Sequence, residues 1–362
     1  MAMARYRTMM KFLISVGILF QGCDSDVKCR DDKGKEVDWY ILYKLPRGKD
    51  DGLSYLYMDE STNGWKASKE TINSKSSTLA NTLNPLLEFY DRKIEGFGYM
   101  LYNDQPPKPY TASASFGHSK GVVMLDKKTG VWLSHSTPKF PTYHSKDFWP
   151  DSGTANAQTF MCVTYSYNHF REIGLQLKYI HAYSYDSDIP TTFHKELQCI
   201  AQRSCYPKKE PWFRVKMLTS MKGHNFSSFV KYTRFRDDLY SGLIVNHLKQ
   251  DLYIKSWGKM HDPLPSNCST DIPHHVYNVK EVKLLKGKPF SDTVDHSKWC
   301  VTSGGGWTCI ADMNREESQM KRAGGAICTD NVAVGMAFHA LIKQYEPCKH
   351  DLPHSEAQHR EL

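Results

Sequence analysis

The chain has 362 residues, 40% of them hydrophobic and 12% aromatic, which is enough to bury a large core and excludes a disordered or low-complexity protein. Its formal charge is +8 with histidine neutral, and its 16 histidines would add to that in acid, so a polyanionic partner fits better than a basic one. Beyond the first 25 residues no stretch reaches about 18 apolar residues, so no membrane anchor is expected.

At the start, Arg5, Arg7 and Lys11 precede the apolar run 12–20, with small residues at Gly22 and Ser25, the pattern of a secretory signal peptide over 1–25. Strands are predicted at 37–45 and 53–58. Over 78–90, Leu79, Leu83, Leu86, Leu87 and Tyr90 share one stripe, so a helix is expected, broken at Pro85. A strand at 97–102 leads to a hairpin: 122–126 runs into the turn 127–130, and 131–136 returns antiparallel, bringing His135 near the level of His118. The Pro-, Tyr- and Ser-rich run 138–156 predicts a long exposed loop over the site. A strand at 160–165 and a helix at 168–177 follow, and loop-like composition at 183–190 marks a boundary. The halves are therefore 26–189 and 190–348. The second half reads as a strand at 216–220, mainly helix over 226–248, strands at 252–257, 276–285 and 307–312, and a last helix at 332–345 with Asn331 as its N-cap. Residues 349–362 form a polar tail.

Two stretches carry the chemistry: Gly117-His118-Ser119-Lys120-Gly121, and Asp295-His296-Ser297-Lys298-Trp299. On a strand, a His and a Lys two residues apart point to one face while the Ser between them points away. Paired imidazole and ammonium groups suit a phosphate. Two such units suit phosphodiester transfer through a covalent histidine: one imidazole attacks phosphorus, the other protonates the leaving oxygen, and two lysines neutralise the non-bridging oxygens. A third His-Ser-Lys, at His144 to Lys146, lies among prolines and tyrosines with no apolar run after it, and is read as a solvated loop.

The two His-x-Lys units resemble the phospholipase D superfamily, and their flanks resemble the deoxyribonuclease II family. The further matches are Val37-Asp38-Trp39, Tyr43-Lys44-Leu45-Pro46, Tyr102-Asn103-Asp104, the GVWLSHS run at 130–136, Asp237-Asp238, the LPSNCS run at 264–269, 295–300 and the WTCIADMNR run at 307–315. The resemblance implies an α/β fold of the phospholipase D kind, a pseudo-dimer of two similar mixed-sheet halves with flanking helices. It implies an acid endonuclease of lysosomes, reached through the secretory pathway, that acts on double-stranded DNA. It also implies no divalent metal or other cofactor and 3′-phosphate, 5′-hydroxyl ends. His118, Lys120, His296 and Lys298 would be catalytic, and His135 would bind phosphate or orient His118. Where the wider superfamily has an Asp five residues after the Lys, this chain has Leu125 and Ser303, with Asp126 one place late. Asp312 and Asn314 could orient His296 or bind a phosphate oxygen. The flanks leave two rivals: a lipid phosphodiesterase of the superfamily, and a secreted DNA-binding protein without activity.

Of ten cysteines, Cys23 leaves with the signal peptide or sits at its edge, and the other nine, without a CxxC pair, read as disulfides plus one unpaired thiol in a secreted chain. The resemblance implies Cys29 with Cys162, Cys268 with Cys348 and Cys309 with Cys328. Cys199 and Cys205 could close a local loop, leaving Cys300 free. Asn225 and Asn267 head glycosylation sequons. The pairs Asp31-Asp32, Asp50-Asp51 and Asp237-Asp238 read as solvated or capping groups, and His274-His275 lacks a third ligand at metal spacing. The number of chains that associate stays open.

Overall fold

The computed structural model describes residues 26–48, 51–269, 271–285 and 287–348. The signal peptide at 1–25 and the tail at 349–362 lie outside them.

Two large sheets stack face to face. In the first, the strand order is Ser184–Asp188, Gly98–Asn103, Lys120–Leu125, Thr129–His135, Gln158–Ser166, Trp39–Lys44, Tyr55–Asp59 and Lys66–Ala67. The second runs Phe213–Thr219, Asn225–Lys231, Gly324–Thr329, Thr308–Ala311, Trp299–Thr302, Leu252–Lys255, Val276–Val282 and Phe290–Ser291, with Ile342–Tyr345 also on Val276–Val282. Every pairing within the first sheet is antiparallel; in the second, Leu252–Lys255 beside Val276–Val282 is the parallel exception. Each sheet contains a three-strand antiparallel meander, 120–125, 129–135, 158–166 in one and 299–302, 308–311, 324–329 in the other.

The two-residue period of a strand sorts the core into layers. Trp39, Ile41 and Tyr43 face the layer between the sheets with Val123, Trp132, Val163, Trp299, Val301 and Ile327. Tyr40 and Leu42 face the other way, with Val122, Leu133 and Phe160, toward the helix Thr78–Asp91. Phe229, Leu252, Ile254 and Ala326 cover the outer face of the second sheet under Tyr240, Leu243 and Ile244. Each such side chain fully removed from water contributes about 1.5–3 kcal/mol.

Thr78–Asp91 runs unbroken through Pro85, contrary to expectation: Leu79, Leu83 and Leu86 bury one stripe on the sheet, and Ser77 Oγ caps Ala80 N at 3.2 Å. That burial outweighs the missing proline N–H. The helix His169–Ile180 belongs to the first half yet lies between the sheets through Phe170, Ile173 and Leu177, and Gln176 donates to Ser228 O at 2.9 Å across the gap.

Four further expectations change. Asn225–Lys231 is a strand between Phe213–Thr219 and Gly324–Thr329, and the helical parts of 226–248 are the single turn Thr233–Phe235 and Tyr240–Leu248. The strand is covered on both faces, so it shows no alternation. The last helix ends at His339, and Ile342–Tyr345 turns back as a strand; Asn331 caps it, accepting from Ala333 N at 3.0 Å. Ser184–Asp188 is an edge strand where a loop was expected. Of the run 138–156, Phe140, Phe148 and Trp149 are buried and pack beside Phe160, so it is anchored by aromatic side chains.

Among the described residues four disulfides close: Cys29–Cys162, Cys199–Cys205, Cys268–Cys348 and Cys309–Cys328. Cys300 is buried and unpaired, since its cross-strand neighbour Cys309 is already bonded to Cys328 on the other side. Asn225 is exposed and Asn267 half-buried. No helix of the described residues is long and apolar enough to cross a membrane.

Candidate active site

The two His-x-Lys segments enter their sheets at corresponding places, each immediately before the first strand of its meander. Gly117 brings the first one in. A Cβ there would sit 1.8 Å from Ile180 O, so only glycine lets the chain pass the end of His169–Ile180. Gly117 N then donates to His181 O at 3.0 Å, and His118 N to Ala323 O at 2.8 Å, a carbonyl of the second half. The other segment does the reverse: His296 N donates to Ala157 O of the first half at 2.9 Å, and Ala157 N to Val294 O at 2.9 Å. Each histidine backbone is thus tied to the half opposite its own.

This crossing brings His118, Lys120, His296 and Lys298 into one electrostatic neighbourhood. His118, Lys120 and Lys298 are buried and His296 half-buried. Burial holds His118 well below the ordinary imidazole range, with Lys120, Lys298 and Arg322 adding to it and Asp104 opposing. His296 is held low by burial, then by Lys298, Lys120 and His118. Lys298 lies well below the usual ammonium range, from burial and then from Lys120 and Lys255.

The environments of the two imidazoles differ. Nδ1 of His296 lies 3.0 Å from Ser136 O, at the end of Thr129–His135. A carbonyl only accepts, so the ring proton is on Nδ1 and the lone pair on Nε2. Lys298 donates to His296 O at 2.8 Å, and the Trp257 ring lies edge-on at 5.2 Å. Behind it, Asp295 accepts from Tyr43 Oη at 2.6 Å and pairs with the fully buried Lys255 at 3.4 Å. His118 instead has a carboxylate beside it: Asp104 Oδ2 is 4.0 Å from its Nε2. Asp104 also binds Lys120 at 2.5 Å and Arg322 at 3.2 Å. Burial would raise this carboxyl, but Lys120, His118 and Arg322 outweigh it and hold it below the usual carboxylate range.

His135 is buried between Phe140 and Phe160, the latter its register partner on the next strand. Its Nδ1 accepts from Thr137 N at 3.2 Å, which puts the proton on Nε2, an atom without a partner. Burial and Lys120 keep it neutral in mild acid. Asp312 accepts from Gly325 N at 3.2 Å with Oδ2 while Oδ1 has no partner, and burial pushes it up to about 8 against the pull of Lys120. Asn314 Oδ1 accepts from Trp257 N at 3.2 Å, so it supports the tryptophan beside His296 and makes no hydrogen bond to the imidazole itself.

Asp126 is a turn cap that accepts from Lys128 N at 2.6 Å and Thr129 N at 2.7 Å, at the far end of the strand from His118. The third His-Ser-Lys is on the surface: His144 stacks on Tyr90, and Lys146 pairs with Asp91. Asp238 caps Ser241 N and meets Arg315 at 3.4 Å. Among the described residues one trio could hold a metal ion, Asp38, Glu60 and His224. Its atoms are engaged already: Asp38 accepts from Ser220 Oγ at 2.5 Å and His224 Nδ1 at 2.7 Å, and Glu60 pairs with Lys222.

Sequence reasoning gave no role to Asp104, Arg322, Asp295, Lys255 or Trp257. Asp104 stood within the Tyr-Asn-Asp match and Asp295 within the 295–300 match, and those motifs were the available signals.

A family model described as Deoxyribonuclease II matches residues 28–348. The chain is 38% identical to the human protein Deoxyribonuclease-2-beta over 334 residues, 89% of this chain and 92% of that one. It is 39% identical to Deoxyribonuclease-2-alpha of Rattus norvegicus over 336 residues, 89% and 95%. It is 38% identical to Plancitoxin-1 of Acanthaster planci over 340 residues, 90% and 94%.

Proposed function

The chain belongs to the deoxyribonuclease II family, a family of hydrolases, and from that premise we propose that it is an acid endodeoxyribonuclease working through a phosphohistidine formed on His296. The observation that carries the assignment is the contact of His296 Nδ1 with Ser136 O at 3.0 Å, which puts the ring proton on Nδ1 and the lone pair on Nε2, where Lys298 Nζ stands 3.4 Å away and phosphate would take its place as the ammonium's partner. His118 is then the general acid, because Asp104 at 4.0 Å favours its imidazolium.

In the first step His296 Nε2 bonds to phosphorus, the P–O5′ bond breaks, and the His118 proton passes to O5′ to give a 5′-hydroxyl. Neutral His118 then takes a proton from water, which attacks phosphorus and releases a 3′-phosphate, restoring both residues. Lys120 and Lys298 balance the non-bridging oxygens throughout. Neutral His135 donates its unpartnered Nε2–H to phosphate, and protonated Asp312 donates through Oδ1.

The acid optimum follows from the low imidazole pKa values. With both pKa values held low, neither ring is an imidazolium at neutral pH and no general acid exists; lowering the pH charges His118, and bound phosphate raises its pKa further. Such an optimum suits a lysosomal role on double-stranded DNA, reached through the secretory pathway. The halves 26–189 and 190–348 are proposed to form a phospholipase D-like pseudo-dimer, on the support of the repeated meander and the reciprocal backbone ties.

The test is plasmid cleavage near pH 5 with excess chelator, followed by end-group analysis. Acid-optimal cleavage to 3′-phosphate and 5′-hydroxyl ends is expected; 5′-phosphate ends or an optimum above pH 7 would refute the mechanism.

A further inference from the structure

A row of aromatic side chains begins two residues before His118 and has no part in the chemistry above. Phe116 stacks on the His181 ring, with centroids 4.6 Å apart and planes at 29°. His181 lies 5.8 Å from both Tyr206 and Tyr232, whose own rings are nearly parallel at 11° and 6.3 Å apart. Trp212 follows at 6.1 Å from Tyr232. Guanidinium groups lie over this surface, Arg234 above Trp212 at 5.0 Å and Arg203 above Tyr183 at 5.2 Å.

A cluster of rings is ordinarily core, but this one is open on one side. Tyr206 is 44% exposed, Phe116, His181 and Trp212 are half-buried, the buried Tyr232 backs them, and Arg203, Lys208, Lys209 and Arg234 are exposed. Glu210, which accepts from Trp212 Nε1 at 3.2 Å, is the acidic group of that run. The Cys199–Cys205 disulfide closes the small loop that presents Tyr206. The row is tied to the site: Arg322 Nη2 donates both to Phe116 O at 3.1 Å and to Asp104, the partner of Lys120.

Flat rings interleaved with cations complement a nucleobase face joined to its phosphate, and a base offers that face only when it leaves the duplex stack. We infer that the row from Phe116 and His181 through Tyr206 and Tyr232 to Trp212 is a platform for unpaired bases of the DNA strand beside the scissile phosphate, with Arg203 and Arg234 holding its phosphates. The substrate at that place is then a locally opened strand. This rests on the phosphodiesterase reading of the His118 and His296 site.

The test compares a labelled oligothymidylate with a hairpin duplex, both bound to His296→Ala protein with and without Tyr206→Ala or Trp212→Ala. Each added substitution should weaken single-strand binding about tenfold and duplex binding much less. Tyr206→Phe should bind like its parent, and Arg203→Ala should flatten the salt dependence. Single-strand binding unchanged by both alanine substitutions, or single-strand and duplex binding lost equally, overturns the platform. With His296 intact, Tyr206→Ala should hydrolyse bis(p-nitrophenyl) phosphate, too small to reach the row, at the wild-type rate. A loss there would make the row structural and also overturn the proposal. Wild-type protein inert on both this ester and DNA would instead refute the phosphodiesterase reading, while the binding comparison still decides the platform.

Discussion

The His118 unit and the His296 unit share three letters and a place in the fold but not an environment. His118 has a carboxylate beside its ring, and that carboxylate also holds Lys120 and Arg322. His296 has a backbone carbonyl at Nδ1 and an indole beside it, and the carboxylate that precedes it in the chain, Asp295, is engaged with Tyr43 and Lys255. Near Lys120 stands His135, whose pKa burial and then Lys120 lower, whereas beside Lys298 stands Ala311, whose N–H donates to Lys298 O at 2.9 Å. A duplicated motif is thereby placed in unlike electrostatic surroundings. A charged neighbour favours the ring that must hold a proton, and a neutral acceptor favours the ring that must present a lone pair.

The sharpest way to break this comparison is to remove each imidazole in turn. His296→Ala should abolish cleavage of every substrate, by about 10⁴-fold or more. His118→Ala should lose about 10²–10⁴-fold on DNA but recover on a p-nitrophenyl phosphodiester, whose leaving group needs no proton. Rates on the two substrates check this, and recovery by His296→Ala instead would exchange the roles.

Next come the lysines, where Lys120→Ala and Lys298→Ala should each cost about 2–4 kcal/mol of transition-state stabilisation. Lys298→Ala should also raise the His296 pKa, since a positive neighbour that lowers it is gone. The nucleophile is then lost to protonation at a higher pH, and the acid limb of the rate profile should move upward. Asp104→Asn works in the opposite sense on the other limb. Its charge raises the His118 pKa, so without it the general acid is lost at lower pH and the alkaline limb should move down. A profile that stays in place would show that Asp104 serves Lys120 and Arg322 alone.

A smaller effect is expected at Asp312. If the neutral acid is the working form, Asp312→Asn should leave the rate at pH 5 nearly unchanged, whereas Asp312→Ala should lose up to about tenfold with its hydrogen bond. Equal losses would mean that the carboxylate is required. The smallest effect belongs to His135 and is read in stability. Its folded pKa is depressed, so below about 6.5 the unfolded chain binds a proton that the native one does not, and stability falls as pH falls. His135→Asn should flatten that decline, measured by denaturant midpoints at pH 7 and pH 5.

Much of the fold was legible where one physical rule acted alone. The Leu79, Leu83, Leu86 stripe marked its helix, and the 120–125 and 129–135 hairpin followed from its turn residues. Where two rules competed, the reading failed. Phe226, Phe229 and Val230 fit a helical spacing, but the strand they form is covered on both faces, Phe226 by the layer between the sheets and Phe229 by the outer one. Ile342–Tyr345 reads as the continuation of the helix before it, because nothing local announces that Val276–Val282 will accept it as a neighbour.

The sequence by itself determined the composition of the site: two imidazoles and two ammonium groups on strand entries, whose chemistry with phosphate is a property of the side chains. It also carried the cysteines, and the register Cys309↔Cys328 needed only adjacent strands to bring one pair together. The tertiary structure decided what surrounds each imidazole. Ser136 O reaches His296 across 160 residues of chain, and Arg322 reaches Asp104 across 218. Contacts at such separations are set by how two sheets stack, and no local pattern encodes the stacking. Burial is likewise a property of the assembled layers, so the depressed imidazoles, and with them the preference for acid, arise only once the two halves close on each other.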